Sequence, residues 1–481
     1  MSLSPLELLA VVLVPVLLGV ALLRLQGVVP RTDPLGYGGW AWLQGALGFA
    51  VVLSLWLWLG LPLRAGALAL AVLVLSAALF ALGAKRVTPL APSAPERAFP
   101  RWERALFAVV LALVALGLAD RILIAGSTVI VNSDEGLIWA AKAKALFAAG
   151  SFGPEFVALM ARPGVVGHMD YPPLNSLLQL WTFVLGGEIL HVENRLPVQA
   201  FGIALLLLVA SAARRRARPA VAAAFVACLG AVSFTSYSML HAFSDLLVAC
   251  ALFACCDLWQ RFEEDGQRVW LRLFATTVPL LPWSKNEGRM LVLAGGLALV
   301  AALALRRARL SPRRELAREW PLCLPLAASL AYLLWFNRHF GFVNDLLSSQ
   351  MLSRGLRVGL TRLPVIARYL WELVSDSAAT NLLLLLFFAL SLVAPLRALA
   401  RGRMAFTLTL LFALAGYVVV YMGTSWDVEH HLDHSAKRVF YQVVPAAGLW
   451  VLLAIVELLP EIAARSAPRA SVALDLERAP S

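Results

Sequence analysis

Charged side chains are scarce in this sequence of 481 residues. Asp, Glu, Lys and Arg together account for 15% of it, whereas 60% is hydrophobic and the mean hydropathy is +0.79. A soluble chain is roughly one-quarter charged. Apolar runs of about 17–22 residues recur along nearly the whole length, and each can cross a bilayer as a helix. The composition therefore excludes a cytosolic enzyme and a disordered protein, and it predicts an all-α polytopic membrane protein.

Cysteine is equally scarce, which excludes a second group of functions. The five cysteines lie within apolar runs, and none forms a Cys-x-x-Cys pair: Cys228, Cys250, Cys255, Cys256 and Cys323. Thiols in such surroundings are inert, so neither a disulfide scaffold nor a zinc site is expected. The first apolar run is also without a small-residue cleavage motif at its end. We therefore predict that it is an anchor rather than a removed signal peptide.

Arginine, in contrast, is concentrated in short clusters. The chain has 41 Lys and Arg against 29 Asp and Glu, a net charge of +12. Most of the excess lies between apolar runs, as at 85–104, 214–218, 306–318 and 397–403, and this placement is typical of cytoplasmic loops. We therefore expect contact with membrane lipids and no binding of nucleic acid.

Hydropathy and the basic clusters together predict about thirteen spans, with the N-terminus outside and the C-terminus inside. The predicted spans are 6–24, 40–61, 66–84, 104–124, 196–212, 219–236, 242–259, 271–283, 290–305, 321–337, 378–398, 404–423 and 439–459. The apolar stretch 174–186 is too short to cross, and it is predicted to lie on or dip into the outer face. No internal repeat of the transporter kind is visible.

This topology gathers polar side chains on the outer face. The polar segments are 132–135, 168–174, 284–289 and 425–438, and Asp245 stands at the outer entrance of its span. An ionised side chain costs at least roughly 2.5–3.5 kcal/mol at the bilayer centre, so these groups are expected to line a water-filled cavity. Carboxylates, imidazoles and basic groups on one face indicate a site for an anionic, lipid-borne substrate and a proton acceptor.

The order of these motifs resembles a known family. Asp134-Glu135 opens a long outer loop, and Asp170-Tyr171-Pro172-Pro173-Leu174 follows about 35 residues later. Lys285-Asn286-Glu287-Gly288 ends a short span, and a basic outer loop ending at Arg438 precedes the last span. Over residues 104–460 the pattern is similar to the GT-C superfamily of integral membrane glycosyltransferases, in particular its protein mannosyltransferase and aminoarabinose-transferase-like branch.

The resemblance implies a domain organisation and a fold. Residues 104–460 correspond to the transmembrane catalytic domain, a GT-C-like helical bundle whose long first outer loop carries juxtamembrane helices. Residues 1–84 form an additional N-terminal three-helix membrane segment, and residues 85–103 are a cytoplasmic linker. Residues 461–481 are polar and are predicted to be a disordered cytoplasmic tail.

The resemblance also implies a reaction: a sugar moves from a polyprenyl-phosphate donor to a hydroxyl of a glycan, lipid or protein acceptor, with inversion, on the periplasmic face of a bacterial inner membrane. Asp134 occupies the position of the family's general base, with Glu135 beside it. Some members use a divalent metal such as Mg or Mn, for which Asp134, Asp245 and His168 are candidate ligands. Fixed cations are expected to stabilise the phosphate leaving group. The candidate substrate-binding residues are His168, Asp170, Tyr171, Asp245, Lys285, Glu287, Arg289, His431, Lys437 and Arg438.

Each motif is also compatible with a plain structural role. Asp134-Glu135 suits the N-terminus of a helix starting near Gly136, and Asp245 suits a helix N-terminus as well. Asp170 is a common turn former, and 285–288 reads as a solvated turn. His430, His431 and His434 have the wrong order for a His-Glu-x-x-His metal site. Lys142 and Lys144 are predicted to face water or lipid phosphates, and Thr361–Asp376 is predicted to be an amphipathic surface helix.

Two other functions are compatible with the sequence. A transporter or flippase for a lipid-linked or amphiphilic solute would carry its key charges on broken helices near the midplane, in paired halves of the chain. A structural subunit of an envelope polysaccharide assembly would have the same fold without turnover. The grouping of the charges on one face favours the glycosyltransferase.

Overall fold

The computed structural model describes residues 3–84, 99–128, 134–162, 167–309, 319–342, 349–400 and 402–466. Within these ranges every regular element is helical. The first eleven α-helices are α1 (Pro5–Leu25), α2 (Pro34–Trp58), α3 (Ala65–Gly83), α4 (Arg101–Ala125), α5 (Ala141–Ala149), α6 (Pro154–Met160), α7 (Leu174–Gly186), α8 (Leu196–Arg216), α9 (Pro219–Gly230), α10 (Ser233–Leu240) and α11 (Ser244–Asp265).

The remaining helices follow after a short turn. They are α12 (Arg268–Thr277), α13 (Leu280–Ser284), α14 (Asn286–Ala304), α15 (Leu324–Phe340), α16 (Ser349–Ser375), α17 (Ser377–Thr380), α18 (Leu383–Val393), α19 (Pro395–Ala398), α20 (Met404–Gly423), α21 (Val428–Tyr441) and α22 (Val444–Ser466). A π-helical turn, Glu135–Ala140, leads directly into α5. The predicted amphipathic segment Thr361–Asp376 falls almost wholly within α16.

Some sequence predictions concern residues outside the described ranges. They are residues 85–98 of the linker, Asn132 and Ser133, the arginines Arg313, Arg314 and Arg318, and the tail beyond Ser466. The helix α22 covers the residues of the predicted tail up to Ser466.

The described helices are those of an integral multi-pass membrane protein. Eight helical segments are long and apolar enough to cross a bilayer: Pro5–Leu25, Pro34–Trp58, Ala65–Gly83, Arg101–Ala125, Glu193–Arg216, Asn286–Ala304, Trp320–Phe340 and Met404–Gly423. Two further pairs qualify when each is taken as one broken span: α9 with α10, bent by 52°, and α21 with α22, bent by 48°. The described residues therefore hold eight to ten candidate spans, each matching one of the predicted thirteen.

Three predicted spans are not among these candidates. The segment 242–259 falls in α11, which has 22 residues but carries Asp245, Asp257 and Arg261, too many charges for an apolar span. The segment 271–283 is divided between the short helices α12 and α13. The segment 378–398 contains the 11-residue helix α18.

The short helix α7 lies inside the protein. All of its residues from Leu174 to Val184 are buried, and the helix packs against α1, α2, α5 and α8. The sequence predicted a helix on or dipping into the outer face. Polar side chains of α7, such as Asn175 and Gln179, are buried with it because they bond to each other and to Ala242, Ser244 and Asn194.

The first three helices pack directly on the rest of the chain. Glycines allow α1 and α2 to touch, since a Cβ on Gly19 would overlap the carbonyl of Ala41. The side chain of Gln44 on α2 donates to the Thr277 hydroxyl at 2.9 Å. The indole of Trp181 on α7 donates to the carbonyl of Ala10 at 3.4 Å.

Charged residues join the C-terminal ends of α8 and α11. Asp257 is fully buried, and its carboxylate lies 2.6 Å from Arg216 and 2.8 Å from Arg261. Arg216 also contacts Glu264 at 2.7 Å. At 1.5 Å rise per residue, Asp245 near the start of α11 lies roughly 28 Å from Glu264 near its end. This length is close to the thickness of a bilayer's hydrocarbon core.

Candidate functional site

A buried ion pair fixes the start of the π-helical turn. Glu135 is completely buried, and both of its carboxylate oxygens accept hydrogen bonds from the guanidinium of Arg195. The same carboxylate accepts the backbone N–H of Ala242 at 3.2 Å and lies 3.3 Å from Nδ1 of His241. Burial acts to raise the pKa of Glu135, but the hydrogen bonds from His241 and Arg195 lower it below its ordinary value. The carboxylate is therefore ionised.

The neighbouring Asp134 points to a different partner. Its carboxylate makes an ion pair with Arg438 of α21 and makes no capping hydrogen bond to the turn that follows it. The side chain of Asp134 retains 32% of its exposure and that of Arg438 retains 21%. The capping role that the sequence left open is thus not the role of Asp134.

A second, largely buried group of charges lies around Lys285, at the junction of α13 and α14. Its ammonium donates to Asp245 at 3.0 Å and lies 2.9 Å from Glu287. Gln442 donates to the same Asp245 oxygen at 2.6 Å. Burial acts to lower the pKa of Lys285, but the carboxylates of Asp245 and Glu287 raise it above its ordinary value, so the lysine is charged. The charges of Asp245 and Arg438 also act on each other and link this group to the Asp134 pair.

The loop before α7 supplies the third group. Asp170 is buried and accepts a hydrogen bond from the amide of Asn286, beside Lys285. Burial raises the pKa of Asp170, and the bond from Asn286 opposes this change. The Tyr171 ring stacks on His168 at 4.9 Å between ring centroids, and Nζ of Lys285 lies 6.0 Å from the Tyr171 centroid.

Lys142 holds the loop before α7 by hydrogen bonds to its backbone. The sequence predicted that Lys142 faces water or lipid phosphates, and this is wrong because the side chain is 1% exposed. Its ammonium donates to the carbonyls of Met169 and Tyr171 at 3.0 and 2.5 Å. Burial lowers its pKa to about 8, against the opposing charge of Asp170. Lys144 is only partly buried.

The three groups of charged and polar side chains lie next to one another, and we call them together the carboxylate–cation cluster. Its members are Asp134, Asp170, Tyr171, Asp245, Lys285, Asn286, Glu287 and Arg438. Arg289 borders it one turn into α14, where the charge of Asp170 acts on it. Among the described residues, buried Nε and Nη2 of Arg289 have no hydrogen-bond partner. Buried guanidinium N–H groups without acceptors are suited to an anion such as a phosphate.

Two predicted site residues, Lys437 and His431, are not part of the cluster. The Lys437 side chain is 59% exposed, and its nearest carboxylate in the described part of the chain is Asp376, at 3.9 Å, so it does not join the cluster. His431 is partly buried; its Nδ1 lies 2.8 Å from the Thr424 hydroxyl, and it is within electrostatic reach of Lys285 and Arg438. It borders the cluster without bonding to it.

Four residues that bind the acidic side chains of the site were not predicted in that role from the sequence. They are Arg195 and His241, which contact Glu135, Asn286, which donates to Asp170, and Gln442, which donates to Asp245. Arg195 lies next to the predicted span 196–212 and Gln442 lies within the predicted span 439–459, and a single polar residue in such a place carries no spacing pattern. The signal that was available was the cost of burying a charge, since an Arg just before an apolar run requires a carboxylate partner.

The metal hypothesis does not fit this arrangement. Within the described residues, no three His, Cys, Asp or Glu side chains are grouped so that they could hold an ion. The two named carboxylates, Asp134 and Asp245, are each directed at a basic side chain. The positive charge beside them is therefore supplied by Arg438 and Lys285.

Gly288 is required by the close approach of α13 and α14. A Cβ at this position would overlap the carbonyl carbon and oxygen of Leu281. We expect Gly288→Ala to push α14 away from α13, to separate Lys285 from Asp245, and to lower the free energy of unfolding by more than about 1–3 kcal/mol, the usual cost of overpacking. Thermal unfolding of the detergent-purified protein measures the effect.

Gly296→Ala is the matched control, because a Cβ on Gly296 in the same helix meets nothing within 4 Å. Alanine also has the higher helix propensity, so this variant should be neutral or slightly more stable. Equal melting temperatures for the two variants would contradict the close approach at Gly288.

Comparisons with known proteins returned nothing: no family model matches the chain, and neither a curated protein nor a solved structure does.

Proposed function

We propose that this chain is an integral membrane glycosyltransferase of the GT-C type. In this proposal it moves a sugar from a polyprenyl-phosphate donor to the hydroxyl of a glycan, lipid or protein acceptor, with inversion at the anomeric carbon. The proposal keeps the thirteen-span topology, in a bacterial inner membrane, with the cluster on the periplasmic side.

One observation carries the proposal. Acidic and basic side chains from five separate places in the chain meet in a single cluster, although 304 residues separate Asp134 from its partner Arg438. Burying several ionised groups is costly, and proteins do so mainly where chemistry or binding requires it. Sugar transfer from a lipid phosphate needs both a proton acceptor and fixed cations, and the cluster contains both.

The proposed roles follow from the contacts. Asp134 accepts the proton of the acceptor hydroxyl as the oxygen attacks the anomeric carbon. The phosphate leaves toward the unpartnered N–H groups of Arg289 and the ammonium of Lys285, which offset its developing charge. Arg438 forms an ion pair with Asp134, and Asn286 donates a hydrogen bond to Asp170 beside Lys285.

One further feature supports the proposed sidedness. The arginines at the C-terminal end of α8 lie at the opposite end of α11 from Asp245, which agrees with a cytoplasmic arginine cluster and a periplasmic site.

One observation also favours a second candidate, a transporter of a lipid-linked solute. Both bent helix pairs break close to the cluster: Gln442, between α21 and α22, binds Asp245, and Thr235, just after the break between α9 and α10, lies 2.9 Å from the hydroxyl of Tyr441. Broken helices near polar groups are typical of transporters. Substrate movement across proteoliposomes without covalent transfer would identify this function.

The proposal is tested with the full chain in proteoliposomes. We expect transfer of a labelled sugar from polyprenyl-phosphate donors to a hydroxyl acceptor, and no transfer from a nucleotide sugar in the absence of the lipid. A panel of sugars and of glycan, lipid and protein acceptors covers the open substrate choices. Failure of every lipid-phosphate donor in a folded preparation would remove the glycosyltransferase proposal.

A further inference from the structure

The helix α16 runs across the end of α20 rather than along it. Four residues of α16 lie against the same three residues, 422–424, where α20 ends; they are Met351, Gly355, Gly359 and Arg362. The stretch 351–362 covers about 16 Å of helix axis, at 1.5 Å per residue, whereas three residues of α20 cover only a few ångströms. Because α20 is a candidate membrane span, α16 lies along the membrane surface at that end of it.

The apolar side chains of α16 form two separate sectors around the helix axis. One sector faces the protein and is buried, as at Ile366 and Leu373, which are 1% and 3% exposed. The other sector is open. Successive residues are turned by about 100°, so four exposed side chains fall within roughly 80° of one another. They are Leu356, Leu360, Leu363 and Trp371, with 87%, 76%, 39% and 65% of their surface exposed.

A basic sector lies beside the exposed apolar one. Arg354, Arg357 and Arg368 fall within about 60° of one another, and the centre of this sector is roughly 100° around the axis from the centre of the leucine sector. Arg368 pairs with Glu429 at 3.0 Å, and both side chains are exposed. In the part of the chain that the structure describes, Arg354 makes no ion pair and the Arg357 guanidinium bonds only to Ser353.

These sectors fit the boundary of a lipid bilayer. The 27 residues of α16 are enough to cross a membrane, but four arginines and Glu372 keep the helix out of the candidate spans. A helix that lies in the interface instead buries its apolar sector among the acyl chains and holds its basic sector at the level of the headgroups. Tryptophan is enriched at that level, and the aliphatic stems of arginines let their charged ends reach the phosphates.

The charge of α16 selects among the lipids. Its four arginines outnumber its single carboxylate, so the helix is basic, and basic residues near a membrane surface attract anionic lipids. A free phosphate ion would have use for the arginines but not for the row of exposed leucines. An anionic phospholipid uses both sectors, because its acyl chains cover the leucines and its phosphate meets the unpaired guanidinium groups.

We propose that α16 is an interfacial helix that binds anionic phospholipids of the leaflet in which α20 ends. Arg354 and Arg357 bind the headgroup phosphates. The side chains that enter the acyl chains are Leu356, Leu360, Leu363 and Trp371. This surface does not depend on the proposed sugar transfer, and its test needs no assay of turnover.

The placement of the helix is tested with bimane attached to Leu360→Cys or to Thr361→Cys, each in the full chain with Cys323→Ser, in proteoliposomes. Cys323 is the exposed native cysteine, and labelled Cys323→Ser alone gives the background. Both positions are exposed, yet they point about 100° apart. Phospholipids brominated on their acyl chains should quench the label at 360 and spare the one at 361, whereas aqueous iodide should do the opposite.

The lipid preference is measured at the 360 label. Quenching by brominated phosphatidylglycerol and by brominated phosphatidylcholine, each at the same mole fraction, gives the ratio of their local binding constants. We expect phosphatidylglycerol to be preferred, and the preference to fall by about 5-fold for each arginine removed in Arg354→Gln/Arg357→Gln, as for a basic residue near an anionic surface. Arg354→Lys/Arg357→Lys keeps both charges and is the matched control, which should keep the preference.

Each arm can overturn the proposal. Equal quenching of the 360 and 361 labels by brominated lipid would show that the leucine sector does not enter the bilayer. This arm leaves the arginines intact, so it does not depend on how the arginine variants fold. A preference that is absent from the parent, or that Arg354→Gln/Arg357→Gln retains, would remove the arginines as lipid ligands, and Arg357→Gln alone gives the same test if the double variant does not reconstitute. Loss of the preference on adding inorganic phosphate at constant ionic strength would assign the arginines to a free anion.

Discussion

Replacing Arg195 by methionine is expected to lower the free energy of unfolding by about 3–5 kcal/mol, the cost of leaving one partner of a buried ion pair alone. Glu135 is completely buried and would lose both hydrogen bonds from the guanidinium. The carbonyls of Ala125 and Thr128 would lose a donor as well. Chemical unfolding of the detergent-purified protein, followed by tryptophan fluorescence, measures the loss.

Arg215→Met is the matched control. Arg215 also binds two carboxylates, Glu264 at 3.3 Å and Asp265 at 2.9 Å, but its side chain is 25% exposed. Solvent-exposed pairs contribute about 0–1 kcal/mol, so this variant should remain close to the wild type. If Arg195→Met were equally mild, the Glu135 ion pair would not be the element that holds the start of the π-helical turn.

Asp134→Asn is expected to lower kcat for sugar transfer by about 10²–10⁴, the range of a general base, while the protein stays folded. The side chain is one-third exposed, and asparagine still offers an oxygen to Arg438. The measurement is the rate at saturating donor, together with the melting temperature. Asp120→Asn, at an exposed position on α4, is the control and should leave the rate unchanged.

Undiminished transfer by a folded Asp134→Asn variant would remove Asp134 as the base. A rate that falls only in proportion to lost folded protein would do the same.

The hydropathy of the sequence predicted the positions of the membrane helices well, but it did not predict where helices break. The spans beginning at Pro5, Pro34, Ala65 and Arg101 were predicted to within several residues, because an uninterrupted apolar run has one stable form in lipid. The break between α21 and α22 was not foreseen. It separates a hydrophilic helix from an apolar one. The direction of the hydrophilic helix depends on the ion pair of Arg438 with Asp134 and on the bond from Gln442, at the break, to Asp245.

For the site, the sequence identified residue types and the structure assigned their tasks. Lys142 illustrates the difference. A lysine in a short amphipathic stretch suits a surface, yet here the ammonium satisfies two carbonyls of the loop that carries Asp170. Glu135 and its neighbour Asp134 are a second example, because adjacent carboxylates cannot be told apart in the sequence. In the structure Asp134 pairs with Arg438, whereas Glu135 is buried against Arg195 and His241.

By itself, the sequence determined that this protein is a helical, multi-pass membrane protein. The length of each apolar run and its lack of charge are local properties, and they decide whether the run can cross a bilayer as a helix. Only the tertiary structure decided which charges meet. Ion pairs such as Asp134 with Arg438, or Lys285 with Asp245, join residues far apart in the chain, and their partners are chosen by how the helices pack around them. Burial then makes each choice matter, because a charge removed from water is stable only beside its complement.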